Sequence, residues 1–170
     1  MSRPTTKALL GVDFVSENDG WAVGEGGAIV HYDGSWHAVA SPTSAYLWAV
    51  EFTGANDGWA VGGGGTILRY DGVWKKVASP TSSNLLGICF LNARDGWAVG
   101  RDGVTLHYDG ATWTVVKAPY GDTLCGAAFV SPYEGWAVGY DASYRGVVYH
   151  YLDNYSVEPT SLGAIKALYR

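Results

Sequence analysis

The chain has 170 residues and a formal net charge of −5, and it contains 24 glycines and 14% aromatic residues. Disordered chains have few aromatics and more charge, so this composition excludes disorder and favours one domain of short strands joined by tight turns. The acidic balance and the scattered lysines and arginines argue against binding to nucleic acid.

The first structural element of each repeat is predicted to be a strand that ends near a phenylalanine. In the first unit this strand covers Leu9–Val15, and it is followed by a turn at Asp19-Gly20. Asp-Gly favours tight hairpins because both residues tolerate positive backbone dihedrals. The equivalent first strands are predicted at Leu47–Thr53, Leu85–Leu91 and Leu124–Val130.

The second strand is the peptide Gly-Trp-Ala-Val-Gly, which occurs four times with its tryptophans separated by 38, 38 and 39 residues. A glycine-rich connection leads to a third strand, Ala28–Tyr32 in the first unit, and an Asp-Gly turn leads to a fourth strand headed by a tryptophan. A period near 40 built from short strands is typical of a β-propeller blade. The predicted repeats are 8–45, 46–83, 84–122 and 123–161.

The fold class is therefore predicted to be all-β, a propeller of four-stranded antiparallel blades with four repeats per chain. The tail 162–170 begins with a segment that resembles a fifth first strand, so the chain holds one surplus inner strand. Blades bury apolar residues on both faces, and an open arc would leave its end faces exposed. The favoured hypothesis is an eight-bladed ring made by two chains. A closed four-bladed monomer, other assemblies, and a fragment or engineered piece of a larger protein stay open.

The unit NDGWAVGEGGAIVHYDGSW resembles the repeats of the photosystem II stability and assembly factor family, and also the Asp-box repeats of sialidase-like propellers. The match covers residues 8–161. The family implies a non-enzymatic, seven-bladed propeller that binds a membrane-protein assembly intermediate. This chain differs in blade number, and it shows neither an export signal nor an arginine-rich surface.

The Asp-box resemblance implies a bracing role for the aspartate and tryptophan at the turn between the third and fourth strands. The tryptophans of the second strand share that expected structural role. The structural repeat positions are Trp21, Trp59, Trp97, Trp136, Asp33, Trp36, Asp71, Trp74, Asp109 and Trp113. A sialidase would also need a cluster of arginines, whereas the arginines here occupy unrelated repeat positions.

No metal or cofactor is predicted. One position of the third strand carries His31, Arg69, His107 and His150, but third strands lie away from the propeller axis and these side chains should be far apart. Asp13 and Glu51 match each other on inner strands and could hold a cation or water in a central channel, although the later units carry no acid there. Cys89 and Cys125 occupy different repeat positions and are expected to be free, partly buried thiols.

The fourth unit breaks the repeat and is where ligand binding is predicted. It has four extra residues between its second and third strands, and this connection shares a rim with the loops that join successive blades. Aromatic rings beside charged groups at such a rim could stack on a sugar or bind a peptide. The candidate binding residues are Tyr140, Asp141, Tyr144, Arg145, Tyr46 and Tyr120.

The sequence supplies no nucleophile–base pair, metal-ligand spacing or phosphate loop, so the chain is not predicted to be an enzyme. We predict a non-catalytic scaffold for protein interaction and self-assembly, with a homodimer favoured. The alternative is a multivalent lectin that binds glycans. No apolar run reaches the ~18 residues of a membrane span, and no signal peptide is recognised. The location of the protein is left open.

Overall fold

The computed structural model describes residues 3–116 and 121–152, together with the backbone of 156–160. The described chain is nearly all-β, with four antiparallel sheets of four strands in sequence order, as the sequence predicts. Each sheet consists of four consecutive strands and is one blade. The tail 162–170 lies outside the described residues, so the surplus strand stays a prediction.

The strand bounds agree closely between the first three blades. Blade 1 consists of β1 (Leu9–Ser16), β2 (Asp19–Gly24), β3 (Ile29–Tyr32) and β4 (Trp36–Val39). Blade 2 consists of β5 (Leu47–Gly54), β6 (Asp57–Gly62), β7 (Ile67–Tyr70) and β8 (Trp74–Val77). Blade 3 consists of β9 (Leu85–Asn92), β10 (Asp95–Gly100), β11 (Thr105–Tyr108) and β12 (Trp113–Val116). Blade 4 consists of β13 (Thr123–Ser131), β14 (Glu134–Tyr140), β15 (Gly146–Leu152) and β16 (Ser156–Thr160).

A short 3-10 turn joins the second and third strands in each of the first three blades. Its last glycine packs against the connection to the next blade. At Gly65, which has a φ of +71°, an added Cβ would lie 2.0 Å from the carbonyl oxygen of Thr81. Only glycine fits there, because the backbones approach closely in a left-handed conformation. This contact places the turn on the same rim as the loops between blades.

The core lies between blades rather than within one sheet, and the inner strands β1, β5, β9 and β13 are neighbours in that order. Trp21 of blade 1 is stacked on Phe52 of blade 2, with ring centroids 5.3 Å apart. The same tryptophan meets Tyr70 at 4.7 Å and the edge of Trp74 at 5.6 Å. Blades 1, 2 and 3 each present a tryptophan to a phenylalanine on the next blade, and this packing joins the repeats.

Both ends of the arc are exposed. Val12 on β1 is 63% exposed, whereas its counterpart Val50 on β5, which is covered by blade 1, is only 7% exposed. At the other end Val138 of blade 4 is 49% exposed. The described residues therefore form an open arc and not the closed four-bladed ring that was one alternative. No helix among the described residues is long and apolar enough to span a membrane.

Candidate functional site

A pocket lies on the rim between blades 3 and 4, at the extended β14–β15 connection of the fourth repeat. Its volume is about 290 Å³. The lining is mainly polar and charged, and it combines the turn before β11, the loop before β13 and the β14–β15 connection. The lining residues are Arg101, Asp102, Gly121, Thr123, Tyr140, Asp141, Ala142 and Tyr144.

The β14–β15 connection is organised by Asp141. One carboxylate oxygen, Oδ1, accepts hydrogen bonds from the backbone N–H of Ser143 at 2.8 Å and of Arg145 at 3.0 Å. The other oxygen accepts one from Nε of Arg145 at 2.7 Å. These bonds, the backbone N–H of Arg145 foremost, lower the pKa of Asp141 below its usual value. The loop therefore has a fixed anionic group at its base.

Two tyrosine rings of this connection stack on each other beside the pocket. The ring centroids of Tyr140 and Tyr144 are 5.3 Å apart, with an interplanar angle of 15°. Tyr144 is 83% exposed and has a φ of +57°, an uncommon conformation for a residue with a side chain. The turn thus holds an aromatic surface in solvent at the mouth of the pocket.

The structure brings together three of the six predicted binding residues: Tyr140, Asp141 and Tyr144. Arg145 does not line the pocket; it is exposed and is paired with Asp141. Tyr46 belongs to the loop before blade 2, where its ring lies 6.2 Å from that of Trp48. Tyr120 lies outside the described residues.

Sequence reasoning missed the contribution of blade 3 to this pocket. Arg101 and Asp102 occupy the turn that is Glu25-Gly26 in blade 1 and Gly63-Gly64 in blade 2. Asp102 has a φ of +59°, and its Oδ2 accepts a hydrogen bond from the Ser83 hydroxyl at 3.1 Å. The signal in the sequence was that two charged residues in blade 3 replace residues of a glycine-rich turn on the rim.

The inner-strand carboxylates bind backbone N–H groups of the following blade. Oδ2 of Asp13 accepts a hydrogen bond from the backbone N–H of Phe52 at 2.7 Å, and Oε1 of Glu51 accepts one from the backbone N–H of Phe90 at 3.1 Å. Burial raises the pKa of Glu51 to about 7. The hydrogen bond from the Phe90 N–H lowers this pKa, and the nearby charge of Asp13 raises it. These acids connect neighbouring blades.

The two cysteines are free, as predicted, but only one is partly buried. Cys125 is exposed, which corrects the expectation of two partly buried thiols. Burial raises the pKa of Cys89 to about 12, and the charge of Glu51 adds to the rise. Because the thiolate is the reactive form, Cys89 is held in its unreactive protonated state.

The turns before the fourth strands differ in how their aspartates are used. Oδ1 of Asp109 accepts from the backbone N–H groups of Ala111 and Thr112, at 2.9 and 2.8 Å. Asp71 is paired with Nζ of Lys75 at 2.8 Å, and the hydrogen bonds from Lys75 and, less strongly, from the backbone N–H of Val73 lower its pKa. Asp109 thus stabilises its own turn, while the bracing role at Asp33 and Asp71 stays a prediction.

Four blades joined by tryptophan packing, with a polar pocket on one rim, define a β-propeller repeat protein. The sequence model of the family described as "Photosynthesis system II assembly factor YCF48" matches residues 1–109, and the chain belongs to that family. The resemblance noted in the sequence is confirmed. No curated protein matches the sequence.

Two solved structures have a similar fold. One, described as "YCF48 bound to D1 peptide", is 18% identical with a TM-score of 0.73, over 95% of this chain and 57% of that one. The other, YCF48 from Cyanidioschyzon merolae, is 17% identical with a TM-score of 0.71, over 93% of this chain and 57% of that one. The chain thus spans less than two thirds of the length of either structure.

Proposed function

We propose that this protein is a non-catalytic β-propeller scaffold that binds proteins, including a second copy of itself. Its family membership supports a role in assembly rather than in catalysis. The observation that carries the proposal is an exposed aromatic group at one end of the arc and a partly exposed tryptophan at the other.

The exposed end of blade 1 carries an aromatic socket, which we define as Phe14, Tyr32 and Trp36. The Phe14 ring lies 5.9 Å from Tyr32 and 5.8 Å from Trp36, and it meets Trp36 edge-on. The equivalent Phe52 lies 5.7 Å from Tyr70 and 5.8 Å from Trp74, also edge-on. The blade 2 socket is filled by Trp21, whereas no tryptophan among the described residues fills the blade 1 socket, and Phe14 is 48% exposed.

The exposed end of blade 4 carries the matching tryptophan. Trp136 is stacked on His150 at 4.5 Å, as Trp21 is stacked on His31 at 4.1 Å. Trp21 goes on to fill the next socket, but Trp136 is 37% exposed. The two ends of one chain are therefore complementary, since blade 4 presents an exposed tryptophan and blade 1 presents a socket that could hold one.

Complementary but different surfaces associate head to tail, and such contacts form a ring when the rotation closes. Two copies of the arc would meet at two identical junctions, each joining Trp136 of one copy to the socket of the other. We propose that this closes an eight-bladed ring. Closure would also remove the exposed apolar end faces that make an open arc prone to non-specific association.

The first test is the absolute mass of the chain in solution, measured by light scattering over a dilution series. We expect a species near twice the 18.1 kDa of the single chain that persists on dilution to low micromolar concentration. A monomer at every concentration would contradict self-assembly, and masses that keep growing with concentration would contradict a closed ring.

The rim pocket is proposed as the contact for a partner protein, because an exposed aromatic pair beside fixed charges suits an extended peptide. A synthetic D1 peptide is the first probe, since a related YCF48 structure holds one. We expect Tyr144→Ala to weaken its binding at least about tenfold, the loss of one interfacial aromatic contact. Tyr133→Ala is the control, because Tyr133 is also exposed in blade 4 but follows β13 on the opposite rim.

Carbohydrate binding is the second candidate, and the stacked Tyr140 and Tyr144 rings favour it, because flat aromatic surfaces bind the apolar faces of sugars. A glycan array run with the same two variants separates the candidates. Glycan binding that depends on Tyr144, without peptide binding, would support a lectin. If neither probe binds, the pocket is not a ligand site for these classes.

A further inference from the structure

Three potential metal ligands lie on one face of blade 1, at its outer edge. His31 on β3 is paired directly with His37 on β4, and side chains of paired residues in antiparallel strands share a face. Asp33 follows His31 by two residues, in the turn directly after β3, and the hairpin brings its carboxylate close to His37. Strand register therefore gathers two imidazoles and a carboxylate in one place.

The distances suit a metal ion after a small adjustment. One ligand atom from each of His31, Asp33 and His37 can be chosen so that all three lie within 4.8 Å of one another. Nδ1 of His37 already lies 3.5 Å from Oδ1 of Asp33. Metal–ligand bonds of about 2.0–2.1 Å in a tetrahedral site place ligand atoms roughly 3.3 Å apart. Asp33 and His37 are exposed and free to make that change.

His31 is already held in a fixed orientation. Its Nε2 lies 2.7 Å from Oδ1 of Asp19, and its ring is stacked on Trp21 with centroids 4.1 Å apart. A carboxylate on one ring nitrogen is the usual partner of a metal-binding histidine, because it fixes the ring and leaves the other nitrogen for the ion. The nitrogen left here is Nδ1.

We propose that His31, His37 and Asp33 bind one divalent transition-metal ion, for which zinc is the probe. Two imidazoles and a carboxylate suit zinc, copper or nickel, and three protein ligands leave a coordination position for water. This site does not rest on the proposed function, because it lies on the face of Trp21 rather than on the exposed end or the rim. The proposed metal site differs from the sequence analysis, in which no metal was predicted.

Blades 2 and 3 lack the same set, and a single ion is the expectation within the described residues. In blade 2 the corresponding residues are Arg69 and Lys75, two cations. Blade 3 keeps the histidine and its acid, with His107 Nε2 at 3.0 Å from Asp95, but Thr114 replaces the second histidine. Within residues 3–116 and 121–152, the trio in blade 1 is the one group of three such side chains close enough to share an ion.

The test is isothermal titration of the chain with zinc chloride in a non-chelating buffer at neutral to slightly alkaline pH. A Cys125→Ser background removes the exposed thiol as a competing ligand. We expect one ion per chain, with at least tenfold weaker binding in His37→Lys. The control is His107→Arg, which should bind zinc as the background protein does. Both changes introduce the residue that blade 2 carries at the same repeat position.

The thermal transition of each variant without zinc is measured alongside, and His37→Lys should match the background protein because His37 is on the surface. His31→Arg provides the second variant and should also lose the ion. The proposal is overturned if zinc does not bind at millimolar concentration, if His37→Lys binds it unchanged, or if His107→Arg loses it equally.

Discussion

Replacing Trp59 with alanine is expected to lower the free energy of unfolding by about 3–5 kcal/mol, the usual cost of removing a large buried aromatic side chain. Trp59 is 1% exposed, and its ring contacts Phe90 at 5.5 Å, Tyr108 at 4.8 Å and Trp113 at 5.5 Å. The substitution would remove the centre of the packing between blades 2 and 3. Since domains of this size have roughly 5–15 kcal/mol of stability in total, the variant should unfold at much lower urea concentration.

The measurement is urea denaturation followed by circular dichroism, with all variants at one protein concentration. Val73→Ala is the control, because Val73 lies on the surface of blade 2 and should change the stability by less than about 0.5 kcal/mol. A cost below about 1 kcal/mol for Trp59→Ala would mean that the packing between blades does not hold the arc together.

The repeat predicted the strands because each blade repeats its turn chemistry as well as its apolar pattern. The first strand was predicted at Leu9–Val15 and is observed at Leu9–Ser16, and the third was predicted at Ala28–Tyr32 and is observed at Ile29–Tyr32. Asp-Gly turns fix where a hairpin reverses, so the predicted and observed bounds of these two strands differ by one residue. In blade 4 the longer connection keeps the hairpin paired as far as Tyr140 and Gly146.

The candidate sites were less predictable because they depend on which side chains meet between elements. The rim argument found Tyr140 and Tyr144, but the contribution of Arg101 depends on how closely blade 3 approaches blade 4. His31 was compared with its counterparts around the propeller, where the distances are large. Its cross-strand partner His37, only six residues away, was the informative neighbour. A site within one hairpin can be predicted from the pairing of its two strands. A site between blades can be predicted only when the relative position of the blades is known.

Two single substitutions at opposite ends of the arc are expected to separate the proposed dimer into monomers. Phe14→Lys and Trp136→Asp each remove one aromatic side chain from both junctions and put a charge into apolar surface. At about 2 kcal/mol or more for each junction, the dimer should dissociate roughly a thousandfold more readily. Both side chains are substantially exposed in the single chain, so the fold should be kept and only the mass in light scattering should fall.

Mixing the two variants distinguishes head-to-tail assembly from any association of like faces. In a mixed pair, Trp136 of the Phe14→Lys chain meets Phe14 of the Trp136→Asp chain, which restores one junction completely. The other junction joins lysine to aspartate, an opposite-charge pair rather than a charge against an aromatic ring. We therefore expect a one-to-one mixture to recover the dimer mass that neither variant reaches alone. If blade 1 faces paired with each other, Trp136→Asp would have no effect and mixing would restore nothing.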